Sequence, residues 1–191
     1  MAVIISLLRG VNVVGHNKVK MEALRALYES LRLRDAQTYI QSGNVVFRTK
    51  ETDLDKLARK IENGIEKKFS FRPAVILRTT SELRDVIARN PFANRRDIHP
   101  GKFLVTFLAG HPDTDACAKV LKMKIEPEEL RIVGREVYIY FLNGQGRSKL
   151  SWVMVERTLR VSGTGRNWNT VNKLLEIAEM LEVAEKSGAE T

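Results

Sequence analysis

Ala36-Gln37-Thr38-Tyr39-Ile40-Gln41-Ser42-Gly43-Asn44-Val45-Val46-Phe47-Arg48 decides the fold. Two β-prone runs, Ala36 to Gln41 and Asn44 to Arg48, flank Ser42-Gly43. A Ser-Gly pair between such runs predicts a tight hairpin. Upstream, Val3 to Leu8 is a short apolar run closed by Arg9-Gly10, which fits a central strand. Met21, Leu24, Leu27, Tyr28 and Leu31 recur at helical spacing and predict an amphipathic helix over 19–32. Downstream, Leu54, Leu57, Ile61, Ile65 and Phe69 mark a second helix. Thr52 and Asp53 offer its N-cap, with Asp55 at box-like spacing from Thr52. Ala74 to Thr79 supplies a fourth strand. The order β-α-β-β-α-β is that of a ferredoxin-like unit. One more helix follows over about 80–90, with Thr79 and Glu82 at capping-box spacing and Asn90-Pro91 as its stop.

The second half repeats the order without repeating the sequence. Phe103 to Ala109 reads as a strand and Asp115 to about Met123 as a helix. Glu129 to Val133 and Glu136 to Leu142 form a hairpin turned at Gly134. Ser148 is the expected cap of a helix running through Thr158, and Leu159 to Ser162 the expected last strand. Trp168 to about Ala184 closes the chain as a helix. The expected fold class is therefore α+β: two ferredoxin-like halves with antiparallel sheets, each followed by an extra helix. The halves are expected at 1–92 and 101–185, joined across the polar stretch Ala93 to Gly101, with a frayed tail over 186–191.

The chain has 191 residues, enough to bury a core without disulfides or metal. An apolar fraction of 43% excludes wholesale disorder. The lone Cys117 excludes an intramolecular disulfide framework and points to a reducing compartment. Ala2 to Leu8 is too short to span a membrane and lacks a basic leader. A cytoplasmic globular protein, with no membrane partner, is the expectation. Residues 1–100 carry 19 basic and 11 acidic side chains, whereas residues 101–191 carry 13 and 12. The excess positive charge lies almost wholly in the first half, where it forms either a solvated surface or an attractor for anions.

In this topology the end of the first strand, the start of the first helix and the hairpin between strands two and three share one edge. Two polar segments meet there, Arg9 to Lys18 and Gln41-Ser42-Gly43-Asn44. Arg9 and Lys18 would hold phosphate, while Asn12, Asn17, Gln41 and Asn44 would orient it. Such residues are also ordinary turn formers, but the connection is longer than the usual two to six residues. Gly10 and Gly15 have P-loop spacing, yet His16-Asn17-Lys18 replaces the required Lys-Ser/Thr pair, which excludes a nucleotide triphosphatase of that type. Gly163 to Thr170 is read as the opening of the last helix. There Asn167 or Asn169 would cap and Trp168 staple, or Arg166 and Trp168 would make a second wall against an anion or base. His16, His99 and His111 show no metal spacing, no nucleophile elbow occurs, and no cofactor or metal is expected. Cys117 reads as core rather than nucleophile.

Leu8-Arg9-Gly10-Val11-Asn12-Val13, His16 to Met21, Thr38 to Phe47, Asn90-Pro91-Phe92 and Thr164 to Val171 together resemble a bacterial family catalogued as domain of unknown function 1697. Val14 departs from it, where glycine is more usual, and so does Gly165, where a second threonine is expected. The resemblance implies an α+β protein of two ferredoxin-like halves. It implies no activity and no catalytic residue. The leading expectation is a non-catalytic protein binding an anionic ligand, nucleic acid or a nucleotide-like molecule, through the Arg/Asn/Lys loop. The alternatives are an enzyme acting on a small phosphorylated or carboxylated substrate, with His16 as acid or base, and a structural role in which Asn12 and Asn44 merely hold the loops.

Overall fold

In the computed structural model, which describes residues 1–13 and 15–187, each half builds a four-stranded antiparallel sheet. The first sheet has the order β2-β3-β1-β4, from β1 (Ala2–Leu8), β2 (Arg34–Tyr39), β3 (Asn44–Thr49) and β4 (Val75–Thr79). Its helices are α1 (Met21–Ser30) and α2 (Leu54–Phe69), followed by α3 (Thr80–Ala88). The second sheet has the matching order β6-β7-β5-β8, from β5 (Phe103–Leu108), β6 (Glu129–Val133), β7 (Glu136–Tyr140) and β8 (Gly163–Asn167). Its helices are α4 (Thr114–Leu121) and α5 (Trp152–Leu159), followed by α6 (Trp168–Ser187). The fold is α+β, in two halves of the same topology.

The chain divides into two compact units, Met1–Arg84 with the chain from Lys173 on, and Asp85–Asn172. The divisions fall inside α3 and α6. In the first unit Ile4 and Leu8 of β1 join Val45, Phe47 and Leu77 against Leu24, Leu27 and Tyr28 of α1 and Leu57, Ile61 and Ile65 of α2. The alternate residues Val3, Ile5 and Leu7 are buried as well, which is why β1 reads as a nearly continuous apolar run, broken only by Ser6. Arg48 shares that second face with Val46, and its guanidinium donates to the Leu181 carbonyl of α6. In the second unit Leu108, Val137 and Ile139 pack with Val120, Val155 and Leu159 of α4 and α5. Phe103 on the opposite face lies against Phe92, Tyr138 and Trp168, at ring-centre distances of 5.5, 6.2 and 5.0 Å.

Local signals account for most boundaries. Thr79 and Glu82 form a reciprocal capping box: the Glu82 amide donates to Thr79 Oγ1 at 3.1 Å and the Thr79 amide to Glu82 Oε2 at 2.8 Å. At α2 the cap is Asp53, whose carboxylate accepts from Lys56 N at 2.9 Å, so Thr52 plays no such part.

Three expectations need correction. The first hairpin turns over Ile40 to Gly43 rather than over Ser42-Gly43 alone, because Ile40 leaves the strand with φ 47°. The cap of α5 is Ser151, not Ser148, whose hydroxyl instead accepts from Leu150 N. The last strand is Gly163–Asn167, not Leu159 to Ser162, which spans the end of α5 and the link beyond it. Gly163 to Asn167 therefore does not open a helix but pairs with β5, and α6 begins only at Trp168. There Asn167 caps as expected, accepting from Asn169 N at 3.0 Å. The expected frayed tail lies mostly outside the described residues, and α6 itself continues to Ser187. Val14 lies outside them too.

Candidate functional site

The connection from β1 to α1 runs from Arg9 to Lys20, twelve residues. It is ordered by its own amides. Asn12 stands in the left-handed region at φ 56° and Asn17 at φ 50°, a conformation asparagine tolerates better than most residues. The Asn12 side chain donates to the carbonyls of Val19 and Gln41, each at 3.0 Å, and accepts from Val19 N at 2.8 Å. One amide thus closes the loop on itself and ties it to the hairpin. Asn17 Nδ2 donates to the Gly10 carbonyl at 3.0 Å, and the Asn12 amide donates to the Asn17 carbonyl at 3.2 Å. Val11 and Val19 are buried in the first core and anchor both ends of the loop. The hairpin is held the same way: Asn44, fully buried, donates to the Tyr39 carbonyl at 3.1 Å and to Ser42 Oγ at 2.8 Å. Leu8 N donates to the Gly43 carbonyl at 2.9 Å, joining hairpin and strand end.

The fold therefore brings Arg9, Asn12, Asn17, Lys18, Gln41 and Asn44 to one end of the first sheet. They divide by orientation. Asn12 and Asn44 spend their amides on backbone and on Ser42. Gln41, Lys18 and the neighbouring Lys20 are exposed. The Lys18 and Lys20 ammoniums have no hydrogen bond or ion pair among the described residues. Lys20 precedes α1 in extended conformation and no side chain caps that helix, so its first amides lack a side-chain acceptor. Val13 and Ile40 flank the Asn12–Gln41 bond in sequence and are 54% and 50% exposed. Sequence reading passed over Ile40. A β-branched residue with positive φ in a solvated turn is costly on both counts.

The family model described as Protein of unknown function (DUF1697) matches residues 1–138. The chain belongs to this family. The stretch matched by the DUF1697 model contains the whole loop and hairpin, whereas the closing segment from Thr164 lies beyond it. Among solved structures, the conserved bacterial protein SP0830 from Streptococcus pneumoniae is similar, with a TM-score of 0.76 and 24% identity. The likeness covers 94% of this chain and 99% of that one, and it shows the fold. No curated protein matches the chain.

The two remaining sequence candidates lie in the second unit, where Arg166 is on a strand and only 6% exposed. Its guanidinium donates to Thr164 Oγ1 at 2.7 Å and to the Gly165 carbonyl at 2.8 Å. Burial pulls its pKa down to about 10. Trp168 is half-buried against Phe103. Both are built into packing, which their loop-like neighbours Gly163 and Gly165 concealed. Cys117 is half-buried against the second core, and burial followed by the Asp113 charge pushes its thiol up, away from the reactive thiolate. Among the described residues there is no group of three or more His, Cys, Asp or Glu side chains able to hold a metal ion. No helix among them is long and apolar enough to cross a membrane.

Proposed function

We propose that the protein binds a polyanion of the nucleic-acid class through the Arg9–Lys20 loop and the tip of the first hairpin. The observation that carries this reading is a pair of exposed lysines, Lys18 and Lys20, with no ion pair among the described residues, on a loop held by Asn12 and Asn17. A loop whose backbone is already held has little ordering cost left to meet when its two ammoniums engage phosphate. The charge excess of the first hundred residues adds a long-range attraction. In this reading Asn12 and Asn44 are positioning residues. Gln41 supplies directional hydrogen bonds, and Val13 and Ile40 offer apolar contact to sugars or bases. A catalytic reading fares worse. Asn44 has no exposed surface with which to line a pocket, and no hydrogen bond among the described residues orients the His16 ring.

The test is fluorescence anisotropy of labelled single-stranded RNA and duplex DNA at two salt concentrations. Binding should weaken steeply with salt. The double variant Lys18→Ala, Lys20→Ala should reduce the salt slope by about 1.4–1.8, two phosphate contacts' worth. An unchanged slope and affinity in that variant would remove the loop from the interface. No binding at low salt would remove nucleic acid altogether.

A further inference from the structure

The second unit carries a cavity that the loop reading does not use. It has a volume of about 260 Å³ and is lined by residues on either side of a gap in the sequence, Met123 to Glu126 and Lys149 to Ser151 with Met154. Met123, Ile125 and Leu150 pack against the second hydrophobic core and are only partly buried, so the core reaches the surface here. Met154 forms part of the wall and is 62% exposed, beside Val153 at 73%. Methionine side chains are adaptable and polarizable, which suits a wall that must mould to an apolar guest. Lys124 and Lys149 line the same cavity, exposed and with no hydrogen bond or ion pair among the described residues. Glu126 is on the lining too, and leaves an excess of positive charge. Ser151 accepts from Met154 N at a long 3.4 Å as the cap of α5, and its hydroxyl proton is available to an acceptor.

We propose that this cavity is a binding site for a small amphiphilic anion: an apolar chain or ring seated on Met123, Ile125, Leu150 and Met154, with a carboxylate held by Lys124 and Lys149. An apolar floor alone would take any small hydrocarbon. Two unpaired ammoniums beside it select a ligand with one charged end. The site lies wholly in Asp85–Asn172 and stands or falls independently of the loop.

The probes are octanoate and its uncharged counterpart octan-1-ol, titrated into the full chain with methyl-labelled methionine and followed by NMR. The five methionines report by position. Octanoate should shift the Met123 and Met154 methyls saturably, with a Kd on the order of 0.1 mM, and leave Met1, Met21 and Met180 in place. The surface variant Lys124→Gln, Lys149→Gln should weaken octanoate at least about fivefold and octan-1-ol less than about twofold. Three results would overturn the proposal: no saturable shift at Met123 and Met154, equal shifts at all five methyls, or octanoate binding that survives loss of both lysines.

Discussion

The two halves share a topology and differ at one end of it. In the second half β5 reaches α4 through Ala109 to Asp113, five residues, and β6 turns into β7 over Gly134-Arg135. In the first half the same connections take twelve residues and four. The fold closes with the shorter pair, so topology does not demand the longer. Both extensions fall at the same end of the same sheet, and Asn12 bonds them together. Extra chain costs ordering entropy, and here polar side chains and two buried valines hold it in place. That ordering lies beside Lys18 and Lys20, which is what the proposed binding role would require of the loop.

The equivalence of the halves extends to buried polar groups. Arg78 pairs with Ile5, and Arg166 with Val105, at the same register in the two sheets. Arg78 is 1% exposed, and each guanidinium donates to the carbonyl just before it, Leu77 at 2.9 Å and Gly165 at 2.8 Å. Arg78→Ala and Arg166→Ala should each cost about 3–4 kcal/mol, since truncation leaves a cavity and strands the partners of a buried cation. Urea denaturation measures both. A small loss at one site and a large one at the other would end the equivalence.

Next in size is Asn12→Ala. It removes three hydrogen bonds, two of them part-buried, and should cost about 2–3 kcal/mol. No counterpart exists in the short loop of the second half, so this sensitivity is peculiar to the extension. A thermally silent Asn12→Ala would mean that the loop is not braced as described, and the reading of Lys18 and Lys20 as pre-positioned cations would lose its basis.

Most strands and helices were legible because their signals are local: apolar periodicity, the Thr79/Glu82 box, the turn at Gly134. The strand Gly163–Asn167 was not. Glycine is a poor strand former, yet a Cβ at Gly163 would come within 2.9 Å of Thr106 Cγ2 and 3.0 Å of the Phe107 carbonyl oxygen. The neighbouring strand asks for glycine, and that requirement is tertiary. Similarly, the meeting of loop and hairpin followed from topology, but the inward aim of Asn12 and Asn44 did not. An amide that binds a ligand and one that binds its own backbone look alike in sequence.

Each half also buries a tyrosine hydroxyl. Tyr28 meets Ser6 Oγ at 2.8 Å, and Tyr138 donates to the Val86 carbonyl at 2.8 Å. Burial raises both phenols above their usual value of 10.0. A group whose folded pKa is raised gives stability that is intact below the unfolded pKa and lost as pH climbs above it. Tyr28→Phe should cost about 1–2 kcal/mol at neutral pH by leaving Ser6 without its partner. It should also flatten the decline in stability that sets in above about pH 10. An equally steep decline in the variant would assign alkaline sensitivity elsewhere.

The smallest expected effect has the opposite sign. The second hairpin turns on Gly134 at φ 61°, where glycine carries no penalty. The first turns through Ile40 at φ 47°, half-exposed. Ile40→Asn keeps a side chain, suits the left-handed region and removes an apolar surface from water, so it should stabilise the protein by about 1 kcal/mol. If stability alone governed the turn, asparagine or glycine would serve it better. The variant therefore separates two explanations with one pair of measurements. A gain in melting temperature together with weaker RNA binding would make Ile40 a contact residue whose strain is tolerated for the sake of the ligand. A gain with unchanged binding would leave the lysines as the whole interface. A loss of stability would mean that Ile40 packs on its neighbours more than its exposure suggests, and the contrast between the two hairpins would then be one of packing rather than of function.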